Sequence, residues 1–180
     1  MKQIRRNVFE TNSSSTHSIC ISKHPVSVIG QSIHFYIGEY GWEHDCVDAA
    51  DYLYTAILTQ DDSDELLCRL KNILDTHSIS YELEEPQYSF DDEGGWRWLE
   101  NGHIDHSDET RAFIEAVLND EDMLMRCLFG SSCVYTGNDN GGDYDCMCYS
   151  AYETIWDWND KRIPNPHHDS KNYDYFFKGN

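Results

Sequence analysis

The stretch Asp45–Leu74, DCVDAADYLYTAILTQDDSDELLCRLKNIL, decides how the chain is read. In its first half Val47, Ala50, Tyr54, Ile57 and Leu58 recur at i, i+3, i+7, i+10 and i+11, the spacing of one buried helix face beginning near Asp45. In its second half Ser63 stands as an N-cap and Asp64 and Glu65 occupy the first turn. Leu66, Leu67, Leu70, Ile73 and Leu74 then repeat the apolar stripe. The link between the two is short, so an antiparallel helix pair is expected.

Upstream the pattern is that of strands. Ile4–Phe9, Ser18–Ser22 and Ser32–Ile37 are short, partly alternating, and in the last case rich in aromatic and β-branched residues. Downstream, Ile79–Leu83 alternates as a strand, and the segment from Glu84 to Gly95 reads as an acidic loop that Tyr88 and Phe90 pin to the body. Ser107 is expected to cap a third helix through Asn119, with Phe113, Ala116 and Val117 inward. Asp120–Phe129 follows as a short fourth helix stopped by Gly130. Cys133–Thr136 suits one more strand, Gly137–Asp145 a loop, and Tyr149–Trp158 has no clear period. A tail after Lys161 carries Pro164 and Pro166. The expectation is an α+β fold: a single domain over residues 1–180, with three to four helices beside a small, mostly antiparallel sheet.

Composition sets the limits of function. The chain has 180 residues and a formal net charge of −20. Its mean hydropathy of −0.67 pushes toward disorder, but five Trp, twelve Tyr and seven Phe push back, since each aromatic side chain can bury a large apolar area. The charge is uneven. Residues 1–38 hold four basic residues against one acid, residues 39–160 hold five against thirty, and the remainder is a short tail. A field of that sign opposes autonomous binding to nucleic acid or to an anionic membrane. No run of about 18 apolar residues and no signal-peptide pattern is present, so a soluble, cytoplasmic protein is expected. Seven cysteines without framework spacing read as thiols in a reducing compartment.

Three segments invite chemistry. ETNSSSTHS, Glu10–Ser18, gathers hydroxyls beside His17 and suggests a hydrolase or nucleotide-modifying enzyme, with acidic residues holding Mg²⁺. It lacks a strand–turn–helix elbow and a glycine to cradle phosphate, and the plainer reading is a turn with side chains bonded to local backbone. His103 and His106, with Cys133, Cys146 and Cys148, resemble scattered zinc ligands without paired knuckles, and His167–His168 sits in the tail. The Asn138–Asp145 loop does not match a calcium-binding register. No catalytic residue, metal or cofactor is therefore assigned.

The carboxylates are a different kind of signal, one of number and placement. Asp61, Asp62, Asp64 and Glu65 crowd a helix start. Glu82, Glu84, Glu85, Asp91, Asp92 and Glu93 form a second cluster, and Asp108, Glu115 and Asp122 share one face if the third helix runs straight into the fourth. A magnitude of about 2–8 is usual for a small domain, and −20 lies well outside it. Such side chains suit a partner whose basic groove otherwise holds nucleic acid.

The opening RRNVFETNSSSTHS (Arg5–Ser18), with IGEYGW (Ile37–Trp42) and YLYTAI (Tyr52–Ile57), resembles a group of small bacteriophage and prophage proteins over roughly the first third of the chain. In size and acidity it is similar to phage anti-CRISPR proteins that inhibit the Cas9 nuclease. The resemblance implies a non-enzymatic partner of host Cas9 with its guide RNA, blocking DNA binding or cleavage. It assigns no residue roles, and a phage structural or regulatory protein is the other reading it leaves open, as is the oligomeric state.

Overall fold

The computed structural model describes residues 15–41, 43, 45–90, 97–138, 153–156, 159 and 161–178. Its centre is a four-stranded antiparallel sheet built from distant parts of the chain. β1 (Ser15–Ser22) lies between β12 (Tyr173–Lys178) and β9 (Cys133–Asn138), and β9 also pairs with β4 (Cys46–Asp48), giving the order β12-β1-β9-β4. Four two-stranded pairs surround it. β2 (Ser32–Phe35) with β5 (Ser80–Leu83) and β3 (Glu39–Tyr40) with β8 (His103–Ile104) are parallel, whereas β6 (Tyr88–Phe90) with β7 (Arg97–Leu99) and β10 (Thr154–Trp156) with β11 (Arg162–Pro164) are antiparallel. With four α-helices among the described residues the class is α+β, its sheets small and mostly antiparallel.

Helix α1 (Ala49–Leu58) is the axis of the core. Asp48 caps it, its carboxylate accepting from the backbone N–H groups of Ala50 and Asp51. Residues Cys46–Asp48, expected within the helix, instead extend the sheet as β4. The helix is buried on all sides apart from Asp51 and not on one face only, because the sheet packs on one flank and the other helices on the rest. Tyr52 lies at the middle, its ring 5.1 Å from that of Tyr40 and 6.3 Å from that of Phe113, which in turn meets Phe176 at 5.6 Å.

Helix α2 (Ser63–Thr76) packs Leu66, Leu70 and Leu74 inward. Its N-cap is Asp62, without a side-chain capping bond, and not Ser63; the Ser63 hydroxyl is buried and accepts from Arg97. The helix ends with Ser78 in the left-handed region, φ 56°. The N–H of Ser78 bonds the carbonyl of Asp75 and that of Ile79 the carbonyl of Leu74, closing the helix end with both apolar side chains buried.

Several expectations are corrected. Ser15–Ser18 are not turn residues; they begin β1, all eight of whose residues are buried. A 3₁₀ turn (Ser107–Thr110) precedes α3 (Arg111–Asn119), so Ser107 does not cap that helix. α3 does not continue into α4 (Glu121–Phe129), since Asp120 is extended at φ −129°, ψ 98° and caps α4 through the Met123 N–H. Within the expected acidic loop Glu84–Gln87 are irregular, Tyr88–Phe90 form β6 paired with β7, and Asp91–Gly95 lie outside the described residues; the Tyr88 hydroxyl donates to the Leu58 carbonyl while Phe90 stays exposed. The tail supplies β11 and a strand of the main sheet. Gly130 does stop α4, where a Cβ would press on the Arg126 carbonyl. Ile4–Phe9 and most of Gly137–Asp145 lie outside the described residues.

Candidate functional site

The acidic residues divide into those the fold consumes and those it leaves on the surface. Asp61, Asp64 and Glu65 stand exposed at the start of α2, the last two in the first turn, where the helix dipole favours negative charge. Asp62 beside them is used internally. Arg111 bonds Asp62 at 2.6 Å and Glu115 at 2.6 Å, and Arg69 reaches the other oxygen of Glu115 at 3.0 Å and Asn119 at 3.2 Å, lacing α2 to α3. The hydrogen bond from Arg111 holds the Asp62 carboxyl below its usual range, and that from Arg69, aided by Arg111, does the same for Glu115.

Asp108, Glu115 and Asp122 do not share a helical face. Asp108 is exposed in the 3₁₀ turn, Glu115 lies between two arginines, and Asp122 is exposed on α4 beyond the break at Asp120. In the second cluster Glu82 is exposed and lies 3.4 Å from the His34 ring. Glu84 accepts from the Ile37 N–H at 2.8 Å, and Glu85 is exposed. Asp91, Asp92 and Glu93 lie outside the described residues.

The described arginines are each engaged within the chain. Arg97 lies 4.1 Å over the Tyr88 ring and bonds Ser63. Arg126 donates to the Ser22 carbonyl at 2.7 Å and approaches Asp174, and Arg162 donates to Thr154 at 2.7 Å. With Arg69 and Arg111, all five described arginines are thus engaged within the chain. Lys23 pairs with Asp174 at 3.2 Å, and Lys178 is fully buried.

The chain matches no family model, no curated protein and no solved structure.

Of Glu10–Ser18 the described residues are Ser15, Thr16, His17 and Ser18, all buried, and the His17 ring nitrogens bond Tyr52 and Gly41. The Tyr52 hydroxyl donates to His17 Nδ1 at 2.8 Å, and His17 Nε2 donates to the Gly41 carbonyl at 2.7 Å, an acceptor only. Both nitrogens are committed and the ring is neutral. Burial pushes its pKa down to about 3, and the nearby charge of Lys178 adds to the effect. The Lys178 ammonium donates to the carbonyl of Ser15 at 3.0 Å and to its hydroxyl, which also bonds the Asp105 carboxylate. Burial lowers Lys178 to about 8 against the pull of Asp105 and Glu109. Ser15 is 1 % exposed, and this relay ties the start of β1 to the end of β12 and to Asp105 after β8.

Lys178, Asp105 and Tyr52 were invisible as members of this cluster in the sequence, where they are 163, 90 and 37 positions from Ser15. Only the hydroxyl-rich motif itself was a signal. Among the described residues no three His, Cys, Asp or Glu side chains converge as metal ligands. His106 is exposed in a left-handed conformation, His103 lies in β8, and His168 stacks on Tyr175 at 4.7 Å, while Cys146 and Cys148 are outside the described set. Among the described residues no helix is long and apolar enough to cross a membrane.

Proposed function

We propose that this protein is a non-enzymatic inhibitor that sets its exposed carboxylates into the basic, nucleic-acid-binding channel of a partner, the guide-loaded Cas9 nuclease. The observation that carries the reading is the asymmetry of engagement. Every described arginine is turned to a partner within the chain, whereas Asp61, Asp64, Glu65, Glu85, Asp108 and Asp122 face solvent. A surface so arranged repels phosphate and attracts a Lys- and Arg-lined groove. Asp62 and Glu115 leave the contact set, since their charges are already compensated. The similarity in size and acidity to phage anti-CRISPR proteins supplies the choice of target.

The test is a DNA-cleavage assay with guide-loaded Cas9, titrated with this protein at low and high salt. Full inhibition near one-to-one that fades with salt is expected, and Asp61→Asn/Asp64→Asn/Glu65→Gln weakens it at low salt. Potency that does not change with salt removes charge mimicry. Absence of inhibition at large excess removes Cas9 as the target.

A further inference from the structure

The side of the main sheet turned away from the helices carries a row of sulfur and aromatic side chains. Ile19, Ile21, Val134 and Phe176 belong to the helix-packed core, so strand alternation sends Cys20, Cys133 and Tyr175 to the opposite face. Across the four strands the register aligns Tyr175, Cys20, Cys133 and Asp48, and the adjacent row aligns Phe177, Ser18, Tyr135 and Cys46. Cys20 and Cys133 are direct cross-strand neighbours.

Such neighbours have Cβ atoms about 4.5–5.5 Å apart, the near end of which reaches disulfide spacing, whereas Cys46 sits opposite Tyr135 and so lies diagonal to Cys133. Both thiols open onto a cleft of about 120 Å³ lined also by Tyr135, His167, Tyr173 and Tyr175, room enough for a small oxidant. The cleft is roofed by the turn before β12, where the Asp169 N–H donates to the Tyr175 hydroxyl at 2.8 Å.

We propose that Cys133 is an oxidation-sensitive modification site that reacts with a hydroperoxide and is resolved by Cys20 into a cross-strand disulfide. The Cys133 thiolate attacks one peroxide oxygen. An S–O bond forms, the O–O bond breaks, and the alkoxide or hydroxide that leaves takes up a proton. The Cys20 thiol then attacks the Cys133 sulfur, the S–S bond forms, and the sulfenic oxygen departs as water with the thiol proton. Sulfur is oxidised and the peroxide is reduced to an alcohol or water.

The surroundings prepare Cys133 for the first step. Hydrogen bonds from Cys20, from the Tyr135 hydroxyl and from Cys46 hold its thiol below the ordinary range, outweighing burial and the nearby Asp48 carboxylate. Burial raises Cys46 and Tyr135, which keeps both as donors. Cys68, exposed on α2 away from the cluster, is an internal reference. The proposal is independent of the acidic-inhibitor reading.

The full-length reduced protein is exposed to a small excess of hydrogen peroxide, alkylated, digested without reductant and mapped by mass. The expected product joins the Cys20 and Cys133 peptides, is reversed by dithiothreitol, and leaves Cys68 alkylated. In Cys20→Ser, checked for native circular dichroism, no link forms and dimedone traps Cys133 sulfenic acid. Oxidation of Cys68 before Cys133, or a link from Cys133 to any other cysteine in the wild-type protein, overturns the assignment. The wild-type map decides the question even if the variant does not fold.

Discussion

His17 occupies the interior without a charge, and the reason lies in what its two nitrogens meet. One receives the Tyr52 hydroxyl and the other gives its proton to a carbonyl, so protonation would break the first bond and bury an ion beside Lys178. The folded pKa of about 3 lies below the unfolded value of 6.5, so the neutral ring favours folding. That contribution is complete above pH 6.5 and is lost as pH falls toward 3. Comparing urea denaturation of the wild type with His17→Gln, which cannot titrate, the wild type should lose about 2 kcal/mol more between about pH 7.5 and about pH 5. Equal losses in the two proteins would show that the ring is not held neutral. The sequence marked His17 as notable for its hydroxyl-rich surroundings, but the partners that define its role come from β12, α1 and the loop after β3.

At the scale of elements, local chemistry explains the helix ends better than their starts. The α2 terminus uses Ser78 where glycine is the usual occupant, because its left-handed backbone crowds a Cβ. Ser78→Gly removes strain of roughly 1–2 kcal/mol and adds unfolded-state freedom in return, so a net gain of about 0.5–1 kcal/mol is expected in chemical denaturation. A loss of stability would mean that the Ser78 side chain does something the backbone geometry does not reveal. The α3–α4 junction shows the opposite case. Periodicity alone permits one continuous helix, but Asp120 caps α4 with its own side chain, and an extended residue there rotates Asp122 off the face of Glu115. The expected acidic stripe depended on helix continuity, which a heptad count does not establish.

At the scale of the molecule, a net charge of −20 works against compactness. Raising sodium chloride from low to moderate concentration should therefore raise the thermal midpoint, read by calorimetry, because screening weakens repulsion among exposed carboxylates more than it weakens the half-buried pairs of Arg69 and Arg111. A midpoint that falls with salt would mean that the ion pairs dominate. The sequence by itself determined the class of fold, the presence of three to four helices, the central importance of Asp45–Leu74 and the sign of the surface, because these follow from composition and from spacing within about fifteen residues. Only the tertiary structure decided that Ser15–Ser22 is an interior strand, that the tail closes the main sheet, that Arg111 removes Asp62 from the exposed acids, and that Cys20 faces Cys133. Each of these depends on pairing between segments 49 to 163 positions apart, and no periodicity in one segment encodes which distant segment lies beside it.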